Sequence, residues 1–191
     1  MLAFDEPSHT YTYDGTVVPS VTQALTILND FSKVPWQVLQ AAQERGRLVH
    51  KAGEYLLRGE LDWSSIDSEI QSYLVGLKKF LDESGFVALE TETQVYSEKY
   101  RYAGTIDAVG YWRNGICLVD WKTSVAKPKH VGPQLAAYRQ AYNEQAKNQV
   151  RRIYCVRLSP GAYKVDKIEG AADFSIFKSA LNLWGYMNAA A

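Results

Sequence analysis

The chain has 191 residues, 47% hydrophobic and 22% charged, which suits one soluble globular domain with a sizeable core. Its formal net charge is zero, so no global field advertises an acidic partner, and any nucleic-acid contact must come from local patches. No leader, internal repeat, low-complexity linker or bilayer-length apolar run is legible, and the expectation is a cytoplasmic protein with no membrane partner.

Tyr11-Thr12-Tyr13, Asp14-Gly15 and Thr16-Val17-Val18 predict a small β-hairpin. Ser20 and Gln23 then form a capping box that opens a short helix reaching about Asn29. Pro35 stands where the first residue of a helix belongs, and Trp36, Leu39, Val49, Tyr55 and Leu56 give that helix its apolar content. Gly46, His50 and Gly53 recur on one of its faces. Each glycine costs roughly 1 kcal/mol against alanine in a helix, a cost that makes sense if this face closes on another element and brings His50 down onto a sheet. Ser64 or Ser65 is the expected cap of a third helix with an Ile66, Ile70, Leu74, Leu77, Leu81 stripe, ended by Gly85.

Three strands are expected next, Phe86 to Ser97, Arg101 to Trp112 and Ile116 to Thr123. A helix from Pro133 to about Asn148 follows. Strands at Val150 to Leu158 and Ala162 to Ile168 flank the Ser159-Pro160-Gly161 turn, and a closing helix carries Phe174, Phe177, Leu181 and Trp184. Helices on both sides of a mixed sheet make an α/β domain. Cys117 and Cys155, the only cysteines, fall in strands and read as buried small hydrophobes. Two thiols cannot supply the four ligands of an iron–sulfur cluster.

The chemistry concentrates where Asn114-Gly115 separates two strands, because that dipeptide is the strongest short hairpin signal. If it is the two-residue loop, Arg113 faces Ile116, Asp107 faces Lys122, and Asp120 lies diagonally from Asp107 on the same side. Two carboxylates could then converge on one divalent ion with an ammonium beside it. Oxygen ligands suit Mg²⁺ or Mn²⁺, and such an ion lowers the pKa of a water and neutralises charge on a phosphoryl oxygen. Lys122 could orient the water or stabilise the phosphorane. No nucleophilic Ser or Cys signature competes for the chemistry, and a glycine-rich phosphate loop is missing.

Gly104-Thr105-Ile106-Asp107, Val119-Asp120-Trp121-Lys122-Thr123 and Gln134-Leu135-Ala136-Ala137-Tyr138 resemble the PD-(D/E)xK nuclease superfamily. The likeness is closest to its RecB-like exonuclease branch, including small exonucleases of phage and mitochondrial genome-maintenance type. That branch carries an upstream metal-binding histidine, matched by Arg45-Gly46-Arg47-Leu48-Val49-His50, and a downstream Q-x-x-x-Y, matched by Gln134 and Tyr138. Pro19 to Thr22 also fits. The proline of the superfamily's name is absent, Ile106 standing before Asp107, a departure common in this branch.

The resemblance implies a restriction-endonuclease-like core, with residues 1–191 as a single nuclease domain. Residues 1–85 would supply the hairpin and the helices bearing the histidine motif, and residues 86–191 the catalytic sheet. It implies that His50, Asp107, Asp120 and the main-chain carbonyl of Trp121 bind Mg²⁺ or Mn²⁺, without an iron–sulfur cluster. Asp107, Asp120 and Lys122 would be catalytic. Gln134, Tyr138, Glu92 and Arg47 would position Lys122 and the substrate backbone. The expected activity is metal-dependent hydrolysis of DNA from single-stranded ends, leaving 5′-phosphates, in a phage or bacterial recombination or replication setting. A flap or structure-specific endonuclease on the same site is one alternative, and a catalytically silent nucleic-acid-binding module is another.

Taken singly, each feature has an ordinary reading. An Asp120–Lys122 pair can be a solvated strand pair, His50 a surface or core histidine, and Gln134 and Tyr138 packing residues. Glu90 alternates onto the same face as Glu92, and His9 and His130 read as surface residues. Basic residues gather at Arg45, Arg47 and Lys51, at Lys127, Lys129 and Arg139, and at Arg151 and Arg152. The first two groups flank the site in sequence, where phosphate contacts belong. Tyr11, Tyr13 and Trp36 are candidates for stacking bases of a single strand.

Overall fold

The computed structural model describes residues 1–124 and 126–189. Strands β1 (Leu2–Asp5), β2 (Thr10–Tyr13) and β3 (Thr16–Val18) form an antiparallel sheet, one strand more than the sequence signals. Asp14 and Gly15 both have positive φ, as the turn between β2 and β3 requires. The Ser20–Gln23 capping box is present and opens α1 (Val21–Ala24), which a 3₁₀ turn continues to Leu28.

Helix α2 (Trp36–Arg58) starts one residue later than expected, with Pro35 as its cap. Helix α3 (Ser68–Ser84) is capped by Asp67 rather than by Ser64 or Ser65. Those serines instead sit in a separate 3₁₀ turn capped by Asp62, because each aspartate carboxylate takes the free amide two residues on. Gly85 ends α3 in the left-handed conformation.

The main sheet runs β4 (Val87–Ser97), β5 (Tyr102–Tyr111), β6 (Ile116–Lys122), β7 (Arg152–Ser159) and β8 (Ala162–Ile168) in that order. Only the β6–β7 pair is parallel, with α4 (Val131–Gln145) as its crossover. Helices α4, α5 (Asp173–Asn188) and α1 cover one face over Leu118, Val131, Leu135 and Phe177, while α2 and α3 cover the other over Leu74, Leu77, Val119, Trp121 and Val156. This is the expected α/β architecture, a mixed five-stranded sheet flanked by helices.

The hairpin register differs from the sequence reading. The two-residue loop is Arg113-Asn114, both at positive φ, and Trp112 and Gly115 exchange main-chain hydrogen bonds of 2.9 and 3.2 Å. Tyr111 therefore faces Ile116, and the ladder ends at Ala108–Val119. The shift moves each partner by two, so paired side chains keep their faces along the ladder, and the same count carried past its end sets Asp107 abreast of Asp120 instead of Lys122. Arg113 is held in its unusual conformation by local contacts: its guanidinium lies 4.3 Å from the Trp112 ring centroid, and Arg152 donates to its carbonyl. Those contacts outweigh the intrinsic preference for Asn-Gly.

Candidate active site

The carboxylate of Asp107 sits where β5 and β6 part. Beyond Ala108–Val119 the strands splay, and the main-chain N–H of Trp121 donates to Asp107 Oδ2 at 2.8 Å. The strand alternation also breaks here. Ile106 and Val109 both contribute to the α4-side core, which strict period-two geometry forbids. Across β5, the residue beside Asp107 in register is Glu92, which has a φ of 48° in the middle of β4. A left-handed glutamate inside a strand costs free energy and marks a place where the chain is bent to aim a side chain.

Helix α2 supplies His50, whose Nδ1 lies 3.0 Å from Asp107 Oδ1. The helix can come this close because Gly53 rests on Trp121: a Cβ there would meet the indole at 3.3 Å and Leu77 at 3.1 Å. Gly46 is different, with its nearest neighbour, Thr123 Oγ1, at 3.9 Å. The expectation of a glycine-mediated approach therefore holds at one of the two positions. His50, Glu92 and Asp107 bring one ligand atom each within 4.8 Å of one another.

Asp120, 1% exposed, lies apart from that trio and is held by Lys122, whose Nζ is 2.9 Å from both of its oxygens. Only Oδ1 receives the ammonium with hydrogen-bonding alignment, so Oδ2 is a buried acceptor without an aligned donor. Glu92 Oε1 and Gln134 Oε1 are likewise buried without partners. Orphaned carboxylate oxygens of Glu92 and Asp120 near an imidazole are what a hard cation would satisfy, and this oxygen–nitrogen set fits Mg²⁺ or Mn²⁺.

The electrostatics follow from burying so many ionisable groups together. Burial and the Asp107 charge push Glu92 up to about 8. Burial pushes Asp120 up to about 6 against the pull of Lys122. Burial also works on Asp107, but His50, Lys122 and the Trp121 amide outweigh it and hold its carboxyl below the usual range. For His50 and Lys122 burial favours the neutral forms, yet the Asp107 and Asp120 charges prevail and raise both.

Helix α4 closes the far side. Tyr138 packs on Gly104, where a Cβ would come within 2.5 Å of its ring. Gln134 donates to Tyr138 Oη at 3.1 Å and makes no bond to Lys122. His50, Glu92, Asp107, Asp120, Lys122, Gln134 and Tyr138 line one cavity of about 530 Å³. Arg47 and Lys51 line it too, whereas Arg45 turns away to Glu69 and Tyr73. Among the described residues the lining includes none of Lys127, Lys129, Arg139, Arg151 or Arg152.

Phe4 and His9 line the site without having been singled out for it in the sequence, and Ser20, Thr22 and Thr105, which fall in segments matching the family pattern, line it although no role was expected of them. All five reach the cavity from segments whose meeting depends on the whole fold. His9 is exposed at the mouth, while His130 is half-buried and bonds Asn29 at 2.8 Å. Of the aromatic residues expected to stack bases, Tyr11 is buried with its hydroxyl on Thr105, and Tyr13 lies against Tyr96. Trp36 is exposed but does not line the cavity. Cys117 and Cys155 are buried, as expected, with their thiols pushed up to about 11 and about 12 by burial. No helix among the described residues is long and apolar enough to cross a membrane.

A family model described as the PD-(D/E)XK nuclease superfamily matches residues 63–182, a span that includes Asp107, Asp120, Lys122, Gln134 and Tyr138 but begins after His50. Mitochondrial genome maintenance exonuclease 1 from Mus musculus is 34% identical over 111 residues, covering 53% of this chain and 32% of the relative. The protein of the same name from Homo sapiens is 29% identical over 134 residues, covering 59% of this chain and 38% of the relative. The chain thus spans about a third of the length of these relatives.

Proposed function

Since the chain belongs to the PD-(D/E)XK nuclease superfamily, whose members generally use divalent metals, we propose that it is a metal-dependent DNA exonuclease acting on single-stranded ends. The observation that carries this reading is the convergence on Asp107 of His50 from α2 and the Trp121 amide from β6, beside the Asp120–Lys122 pair in the same cavity. The likeness to two proteins named as exonucleases supports exonuclease over endonuclease.

His50, Asp107, Asp120 and the Trp121 carbonyl would hold Mg²⁺ or Mn²⁺, with Glu92 close enough to His50 and Asp107 to join them. Such a cation, when bound, supplies Lewis acidity that lowers the pKa of a water and offsets charge on a phosphoryl oxygen. The chain's own groups do the rest. Lys122 Nζ, anchored by Asp120, offers its remaining N–H donors to the attacking water or to charge developing on the phosphate. The Asp107 carboxylate is fixed by its two partners, so it needs no reorganisation during the reaction. Gln134 and Tyr138 line the cavity from α4 and, with Arg47 from α2, would orient the substrate backbone. On this reading residues 1–85 and 86–191 are one domain, because His50 and the sheet carboxylates complete a single site.

The test is hydrolysis of 5′- and 3′-labelled single strands, duplexes and closed single-stranded circles, with Mg²⁺, with Mn²⁺ and with chelator. Linear single strands should be degraded to short products bearing 5′-phosphates, chelator should abolish this, and circles should survive. Cleaved circles would replace the exonuclease reading with an endonuclease on the same site. No metal-dependent cleavage of any substrate would leave a silent binding module.

A further inference from the structure

The two walls of the cavity mouth differ in chemistry. On one, Arg47, Lys51 and Arg58 follow one another along the same face of α2. They are tethered by acidic neighbours, Arg47 to Glu44 at 2.7 Å, and Lys51 and Arg58 to the buried Glu54 at 3.2 and 2.7 Å. On the other wall, β1 and the following turn present Phe4 and His9. The Phe4 ring stacks on Tyr11 at 4.4 Å and meets His9 edge-on at 5.2 Å and 89°. His9 holds a φ of 49°, an uncommon state for a residue with a side chain. Glu6 in that same turn is within electrostatic reach of Arg47 and Lys51, so the two walls face each other.

From this asymmetry, and resting on the nuclease reading above, we infer that Phe4 and His9 form a platform on which an unpaired base stacks while Arg47, Lys51 and Arg58 hold the adjoining phosphates. Glu6 beside the rings repels phosphate from that wall, which fixes the orientation of the strand: bases towards β1, backbone towards α2. An aromatic corner of this kind can only engage a base that has left its own stack. It therefore gives a physical reason for choosing single strands over duplex, which phosphate contacts alone do not provide.

Binding is measured by fluorescence anisotropy in chelator, so that no hydrolysis intervenes. The ligands are a labelled single-stranded DNA, the same length built of abasic sites, and a duplex. Phe4→Leu keeps apolar packing against Tyr11 and removes the ring, whereas Phe4→Trp keeps a ring. Phe4→Leu should weaken single-strand binding about tenfold, the size expected from losing one stacked base, and Phe4→Trp should stay within about twofold of wild type. Wild type should lose a similar factor on the abasic strand, where Phe4→Leu costs nothing further, and duplex binding should not change. Unaltered single-strand binding by Phe4→Leu overturns the platform, as does a penalty that persists on abasic DNA. Base-dependent binding without cleavage in any metal would sink the hydrolase reading and leave the platform standing.

Discussion

His50 on α2 and Asp107 on β5 are 57 residues apart in sequence, yet His50 Nδ1 lies 3.0 Å from Asp107 Oδ1. The other oxygen of the same carboxylate accepts the Trp121 amide at 2.8 Å. Asp107 thereby ties the helical layer to the point where β5 and β6 part, whereas among the described residues the Lys122 ammonium bonds only Asp120. The two residues should fail differently. Asp107→Ala should weaken Mn²⁺ binding by tenfold or more and also lower stability, since it leaves a buried amide unpaired, a loss of about 1–3 kcal/mol. Lys122→Ala should cut the hydrolysis rate by about 10²–10³ or more while Mn²⁺ affinity stays near wild type. Titration calorimetry with Mn²⁺ beside single-turnover cleavage separates them, and wild-type turnover by Lys122→Ala rules out its proposed role.

The two glycines of the His50 face, equivalent in sequence, should respond with opposite signs. At Gly46 an added Cβ meets only Thr123 Oγ1 at 3.9 Å, so Gly46→Ala should stabilise by up to about 1 kcal/mol through helix propensity. At Gly53 the Cβ meets the indole of Trp121, itself 1% exposed and unable to retreat. Overpacking of about 1–3 kcal/mol then exceeds the propensity gain. Gly53→Ala should lower the urea midpoint and, by lifting His50 from Asp107, reduce Mn²⁺ affinity. A rise in stability at both positions would mean that α2 can shift without strain.

Asp107, Asp120 and Lys122 are legible in the sequence because strand periodicity and one turn place them together over a short stretch, and a two-residue shift of register still leaves all three at the same end of the hairpin. His50 needed both the glycine spacing and the family pattern. The partnership of His50 with Glu92 was hidden, since it depends on a left-handed backbone in β4 that no glycine or asparagine announces. Phe4 and His9 carry no site signal for a related reason: β1 has only four residues, and the two rings matter only because they line the same cavity as residues of α2. Local pattern reveals what one hairpin or helix assembles, and not what a tertiary cavity collects.

His130, at the start of α4, gives a pH signature away from the carboxylates. Burial, with the charge of Lys122 adding to it, holds the imidazole below its ordinary pKa while Nδ1 bonds Asn29 at 2.8 Å. Below the unfolded value of about 6.5 the unfolded chain takes up a proton that the folded chain resists, so stability falls as pH drops through that range. At pH 8 both states are neutral and the contribution is absent. His130→Gln keeps an amide for Asn29 and removes the titration. The drop in melting temperature from pH 8 to pH 5.5 should therefore be smaller in the variant, by roughly 1–2 °C. An equal drop in both proteins would show that His130 is freely protonated in the fold.

The turn that sets the Asp107–Asp120 juxtaposition can be tested without touching either carboxylate. With Arg113 and Asn114 at φ of 51° and 62°, Asn114 carries the left-handed requirement and Gly115 does not. Gly115 has only the Arg152 guanidinium near its missing Cβ, at 3.8 Å. Gly115→Ala should accordingly be almost neutral, within about 0.5 kcal/mol. Asn114→Ala places an ordinary side chain in left-handed backbone and should cost about 1–2 kcal/mol. The competing register, with Asn114-Gly115 as the loop, requires a left-handed Gly115 and predicts a substantial loss for Gly115→Ala as well. Urea midpoints of the two variants therefore report which residue faces Asp107 across the hairpin. A neutral Gly115→Ala beside a damaging Asn114→Ala leaves Asp120 in that position, with Lys122 one step further along the same face.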